Sequence, residues 1–246
     1  MQTTSRLALS AVLVAGLGAT PLLAAPEGWT PLMEPAELAA LLDSHGDEIR
    51  VIHVTGEFGT GHIPGAASAP YADWRSGPEN PGALREREEF AELARSLGLT
   101  PETPTVVVHS GANPTDMGAA ARVYWTLKSL GVEDLALLNG GFQAWTDAGL
   151  PVSTTPAPIE ASDHAFEWQD TWRVSTEEVV ELAEAGDSRL IDARPTGFFQ
   201  GLQWSIAAPG TIRNSANMTY EQFFDGNRMQ DAQVIRDLAE REGYTD

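Results

Sequence analysis

A serine directly after the most strand-like segment of the chain is the first place where residue types invite chemistry. Thr105-Val106-Val107-Val108-His109 is short and β-branched, and Ser110 opens a Gly/Asn/Pro/Thr/Asp loop over residues 110–117. A hydroxyl there is a weak nucleophile at neutral pH until a base takes its proton. His109 is poorly placed to be that base, because adjacent strand residues point to opposite faces. The triplet His109-Ser110-Gly111 also lacks the G-x-S-x-G elbow of serine hydrolases. The 246 residues contain no cysteine, which excludes thiol catalysis, disulfides and thiolate metal sites within them. The five histidines, at 45, 53, 62, 109 and 164, show no H-x-x-x-H spacing, so neither a metal nor a cofactor is expected.

The elements around this serine alternate. Glu34-Pro35 opens a helix with an apolar stripe of Leu38, Leu41 and Leu42, and residues 50–54 then read as a buried strand. An amphipathic helix is expected over 84–97, with Gly98 as its stop, then the 105–109 strand, a helix over 118–130 and a strand over 135–138. Asn139-Gly140-Gly141 reads as a turn leading into a short helix through Trp145. Strands alternating with helices predict an α/β fold, a parallel sheet covered on both faces. Ligands in such sheets sit beyond the carboxyl ends of the strands, where the loop after His109 lies.

Residues 151–165 have linker composition, and a second unit is expected from 166 to 246. In it, Ser175-Thr176-Glu177-Glu178 fits a capping box, and residues 189–193 repeat the strand position of 50–54. Gly61-His62-Ile63-Pro64-Gly65 through Tyr71 aligns without gaps on Gly210 through Tyr220, and residues 93–100 align on 238–245. The chain therefore reads as two tandem copies of one unit, the first spanning 27–150 and the second incomplete.

Two motifs carry a resemblance. Gly61-His62-Ile63-Pro64-Gly65-Ala66 and Leu137-Leu138-Asn139-Gly140-Gly141-Phe142-Gln143-Ala144-Trp145 resemble the G-H-I-P-G-A and L-x-G-G-[FW]-x-x-W signatures of rhodanese-like domains. Leu190-Ile191-Asp192-Ala193-Arg194 is similar to the family's L-I-D-A-R opening. The resemblance implies a three-layer rhodanese-like fold and a sulfurtransferase, in which a cysteine thiolate takes sulfane sulfur from thiosulfate or 3-mercaptopyruvate. The resulting persulfide passes its sulfur to a thiol or to cyanide. It also implies that the cysteine follows the V-V-V strand, the position of Ser110 here, and an oxygen cannot carry the persulfide.

The first copy is therefore expected to be a non-catalytic rhodanese copy with Ser110 as a degenerate active-site position, and no catalytic residue is assigned. Gly98 precedes Ser110 by 12 residues. The same offset from Gly243 places the second copy's cysteine near position 255 of a longer chain, roughly nine residues past Asp246. The competing reading is a non-catalytic module that holds a small anion or a partner protein. Its contacts would come from the loop residues Gly111, Ala112, Asn113 and Thr115.

Charge and termini narrow the partners. Fifteen basic against 35 acidic side chains give a formal charge of −20, which disfavours nucleic acid and anionic membranes. A small sulfur-containing anion or a thiol acceptor remains. Arg6, the apolar run from Leu7 to Ala19 and Pro21-Leu22-Leu23-Ala24-Ala25 have the layout of a signal peptide over 1–25. A periplasmic or secreted protein, free of the membrane after cleavage, is expected. The second unit, missing the counterpart of the 105–109 strand, is expected to be loosely packed.

Overall fold

The computed structural model describes residues 25–80, 82–186, 188–204 and 209–243. The expected signal peptide lies outside the described residues, apart from Ala25.

Five parallel strands form the central sheet. They are β1 (Leu32–Met33), β2 (Arg50–His53), β3 (Ala67–Ser68), β4 (Thr105–Val108) and β5 (Leu135–Leu138), in the order β1-β5-β4-β2-β3. β4 is central, its Val106 opposite Val51 of β2 and Ala136 of β5. Alternation along β2 and β4 feeds two cores. Ile52 and Val107 point into one, with Phe90, Trp74, Val123 and Leu127, while Val51, Val106 and Val108 point into the other, with Leu38, Ile63 and Trp145. The first core is roofed by α2 (Arg87–Ser96) and α3 (Pro114–Ser129), the second by α1 (Pro35–His45) and α4 (Gly141–Asp147). The expected three-layer α/β architecture is present.

Two helix starts differ from expectation. α2 begins at Arg87 rather than 84, because Glu86 is extended and the acids Glu88 and Glu89 fill the first turn; Leu84 packs on the core from outside the helix. α3 begins at Pro114, four residues before the expected Gly118. Asn113 is its N-cap, its Oδ1 accepting the Asp116 N–H at 3.0 Å, and Pro114 takes the first helical position.

The segment after α4 is a strap fixed to the first unit. Ser162 donates through its N–H to Arg95 O and through its hydroxyl to Leu99 O, and Gln169 N–H donates to Ser129 O. Phe166 and Trp168 pack on the first core, and Trp125 Nε1 donates to Trp172 O at 3.0 Å. The strap stays in contact with the first unit through Trp172, because its aromatic residues have their partners on α2 and α3.

Beyond the strap, α5 (Thr176–Ala185) starts at the expected capping box, with Ser175 and Glu178 exchanging bonds. It is followed by β6 (Ile191–Asp192), the single-turn α6 (Thr196–Phe199), β7 (Ala216–Asn217), the hairpin β8 (Phe224–Asp225) and β9 (Arg228–Met229), and α7 (Ala232–Arg241). The aligned sequences carry the same bonds. Ile52 pairs with Ala67 as Ile191 pairs with Ala216, and Tyr71 N–H donates to Val54 O as Tyr220 N–H donates to Ala193 O. Gly98 and Gly243 both end their helices at positive φ.

One partner is missing from this correspondence. β2 is flanked by β3 and β4, whereas β6 pairs with β7 alone among the described residues. Between 173 and 243 the buried residues among those described are Met218, Thr219 and Leu238, while Val180, Leu202, Trp204 and Ile212 are exposed. So little burial gives local opening a low cost. Amides of α5 and β6 are expected to exchange with solvent at least about tenfold faster, after correction for intrinsic rates, than those of β4 and α3. Equal protection in native-state hydrogen exchange would contradict this packing.

Candidate functional site

The loop at the carboxyl end of β4 is held from both sides. α4 begins at Gly141, and its first N–H groups lack partners within the helix. Phe142 N–H donates to His109 O at 2.8 Å and Gln143 N–H to Ser110 O at 2.9 Å. From the other side α3 supplies an acceptor. Asp116 is its third residue, the position from which an acid reaches back over the helix start.

Asp116 Oδ2 collects four bonds. The Ser110 hydroxyl donates at 2.7 Å, Gly111 N–H at 2.8 Å, Ala112 N–H at 3.3 Å, and His109 Nδ1 lies at 3.1 Å. Burial alone would raise this carboxyl, but the bonds from His109, the Thr55 hydroxyl, Ser110 and Gly111 outweigh burial and hold it far below the usual carboxylate range. Gly111 N–H also faces His109 Nδ1, at 3.1 Å, so that N–H is shared between the ring and the Asp116 carboxylate. His109 Nε2 is buried and without a partner among the described residues.

This geometry settles where each expected site residue lies. Ser110 stands at the end of β4, half-buried, its proton directed at Asp116 and its N–H at Thr55 Oγ1, 2.8 Å away. A carboxylate with so little proton affinity is a poor general base, and the serine is not activated. Of the expected anion-binding residues, Gly111 and Ala112 point their N–H groups at Asp116, and Asn113 spends its side chain capping α3. The hydroxyl of Thr115 meets the Tyr220 hydroxyl at 2.7 Å. Two of the four expected residues thus direct their N–H groups at a carboxylate of the same chain. Asp116 is the residue that sequence reasoning undervalued; Asn-Pro three and two positions before it was the available signal. His109 and Ser110, expected to diverge, converge on it because the strand ends at Val108.

A second contact closes the loop from outside. The β8–β9 hairpin lays Asn227 against it, with Nδ2 donating to Gly111 O at 2.6 Å. Met229 N–H donates to Asn139 Oδ1 at 2.8 Å, Asn139 Nδ2 donates to Glu34 at 2.7 Å, and Arg228 forms an ion pair with Glu34. Asn139 is thus more than a turn residue: it joins α1, β5 and the hairpin. Among the described residues no cluster of His, Cys, Asp and Glu is suited to a metal.

Residues 34–148 match the rhodanese-like domain family. Over 179 residues the chain is 31% identical to rat 3-mercaptopyruvate sulfurtransferase, covering 71% of this chain and 59% of that protein. It is 29% identical over 218 residues to a putative thiosulfate sulfurtransferase of Synechococcus elongatus, covering 87% of this chain and 66% of that one. The chain thus spans about three fifths to two thirds of the length of these relatives. Among solved structures, the 3-mercaptopyruvate sulfurtransferase SseA from Escherichia coli superposes with a TM-score of 0.74 at 20% identity, over 88% of this chain and 85% of that one. The motifs, the family match and the five-stranded parallel sheet, which has the fold of SseA, agree that residues 34–148 form a rhodanese-like domain.

Proposed function

We propose that these 246 residues are the non-catalytic part of a thiosulfate- or 3-mercaptopyruvate-type sulfurtransferase and that by themselves they transfer no sulfur. The observation that carries this is the pairing of Ser110, at the end of β4, with Asp116 at 2.7 Å. Sulfur transfer of this class needs a sulfur nucleophile to attack the sulfane sulfur and hold it as a persulfide, and the sequence has no cysteine. The segment from 173 onward is read as a second rhodanese-like unit because its strand register and loop bonds repeat those of the first. The open edge of β6 is the place where a further strand, with the reactive thiol after it, would join from outside residues 1–246. Export to the periplasm or outside the cell is part of the same reading, resting on the layout of residues 1–25.

Thiosulfate:cyanide sulfurtransferase turnover by the 246-residue chain is expected to equal the buffer control. Turnover above it would overturn the proposal. The alternative of an anion-binding module is disfavoured, since the cradle donors already serve Asp116. Titration with thiosulfate or sulfite to millimolar concentration is expected to give no saturable signal, and saturation would revive that alternative.

A further inference from the structure

The second core leaves space at its outer edge. Between the carboxyl end of α1, the entry to β2, the Pro64-Gly65 turn and the segment after α4 lies a cavity of about 470 Å³, within the range of small-molecule sites. Ile49, Val51 and Trp145 form its floor and belong to the buried core, and Leu42 and Leu150 flank them, half-buried. The Trp145 Nε1 donates to Pro151 O at 2.8 Å, so the one polar atom of the indole is engaged and its hydrocarbon faces the cavity. Gly65 has φ +81°, and a Cβ built there meets nothing within 4 Å, which leaves the mouth open beside the turn.

The charge on this cavity has one sign. Asp43 and Asp47, four residues apart, line it from the last turn of α1 and the residues just after it, and no lysine, arginine or histidine lines it. Both acids are exposed, and among the described residues neither carboxylate forms an ion pair or a hydrogen bond. His45, between them in sequence, turns instead to Glu48, 3.4 Å away. The carboxyl end of α1 adds the partial negative charge of its carbonyls. An anion is repelled here, and a neutral hydrocarbon that suits the floor gains nothing from the rim.

We propose that the cavity is a binding site for a small organic monocation, an ammonium group on a compact alkyl or aryl body. The body lies on Ile49, Val51 and Trp145, where removal of apolar surface from water drives binding. The ammonium stays in the mouth beside Asp43 and Asp47, solvated on its outer side, so the cost of burying a charge is avoided. The net charge of −20 raises the concentration of any cation near the chain. None of residues 110–116 lines the cavity, so the site stands apart from the sulfurtransferase reading.

Titration of the 246-residue chain with phenethylammonium, followed by amide shifts in nitrogen-15 spectra, tests this against the neutral phenethyl alcohol and the anionic hydrocinnamate. The ammonium is expected to shift the amides of Gly46, Asp47, Gly65 and Leu150 saturably. It is expected to bind about threefold to tenfold tighter than the alcohol, the scale of two exposed charge contacts, and hydrocinnamate is expected to bind most weakly. The preference for the ammonium is expected to shrink as salt is raised to about 0.5 M. In the double variant Asp43→Asn, Asp47→Asn the preference is expected to vanish while the alcohol binds as before. No saturable shift at these amides, equal affinity for ammonium and alcohol, or a preference that survives the double substitution would overturn the proposal. The three probes on the unsubstituted chain decide the matter even where the variant fails to fold.

Discussion

Gly141→Ala is expected to cost the first domain more than about 3 kcal/mol, enough to abolish cooperative folding in a domain of ordinary stability. Gly141 has φ +62°, and a Cβ built on it would lie 2.4 Å from His109 O and 2.7 Å from Gly111 N. Both are main-chain atoms, already committed to bonds that close the β4 loop, so no flexible side chain can move aside. The backbone would have to separate the 109–111 loop from the start of α4, breaking the bonds from Phe142 and Gln143. Gly118→Ala is the internal contrast. That glycine lies exposed within α3, and nothing stands within 4 Å of a Cβ there, so the substitution is expected to stabilise by about 0.5–1 kcal/mol. Urea unfolding of the two variants should move in opposite directions, and equal small shifts would show that the loop and α4 are not in the close contact described.

Asp116→Ala is expected to destabilise by about 2–4 kcal/mol at pH 7, because it strands the Gly111 and Ala112 N–H groups, the Ser110 hydroxyl and His109 Nδ1 together. Asp116→Asn should recover little of this, since an amide adds two donors where every neighbour donates. The pH dependence has a definite sign. The folded carboxyl is depressed, so its contribution is fully present above the unfolded value, about 4, and is lost as pH falls through the lower folded value. The stability gap between the unsubstituted chain and Asp116→Ala should therefore be constant from about pH 5 upward and shrink in strong acid. A gap that instead widened below about pH 4 would mean that Asp116 is protonated in the folded protein.

The regular parts of this fold were legible in the sequence because their causes are local. The run Thr105-Val106-Val107-Val108 is β-branched with both faces buried, and Pro35 and Ser175 mark helix starts by their own backbone chemistry. The aligned segments also carry matching pairings, Ile52 with Ala67 and Ile191 with Ala216, which the sequence comparison did not itself name. What escaped was settled either by one capping residue or by distant partners. Asn113-Pro114 reads as loop by composition and as a helix start by capping, and taking the first reading hid the acid at position 116. The strap was hidden because 151–165 has the composition of a free linker, while its attachment depends on Arg95, Leu99, Phe90 and Trp125 far away in sequence. The docking of Asn227 and Met229 on Gly111 and Asn139 joins residues about 90 or more positions apart, which no local pattern encodes.

The sheet order places β1 beside β5, with Leu32 opposite Leu137. During synthesis the ribosome delivers β1 first, yet the edge on which it rests exists only after residue 138 has emerged. Pairings this distant in sequence are slow to form. At about 5–20 residues per second, Leu32 and Met33 wait several seconds or more for their partner. The earliest residues of the domain are thus among the last to find shelter, and a chaperone or export factor that binds apolar segments has its longest opportunity at the amino-terminal end.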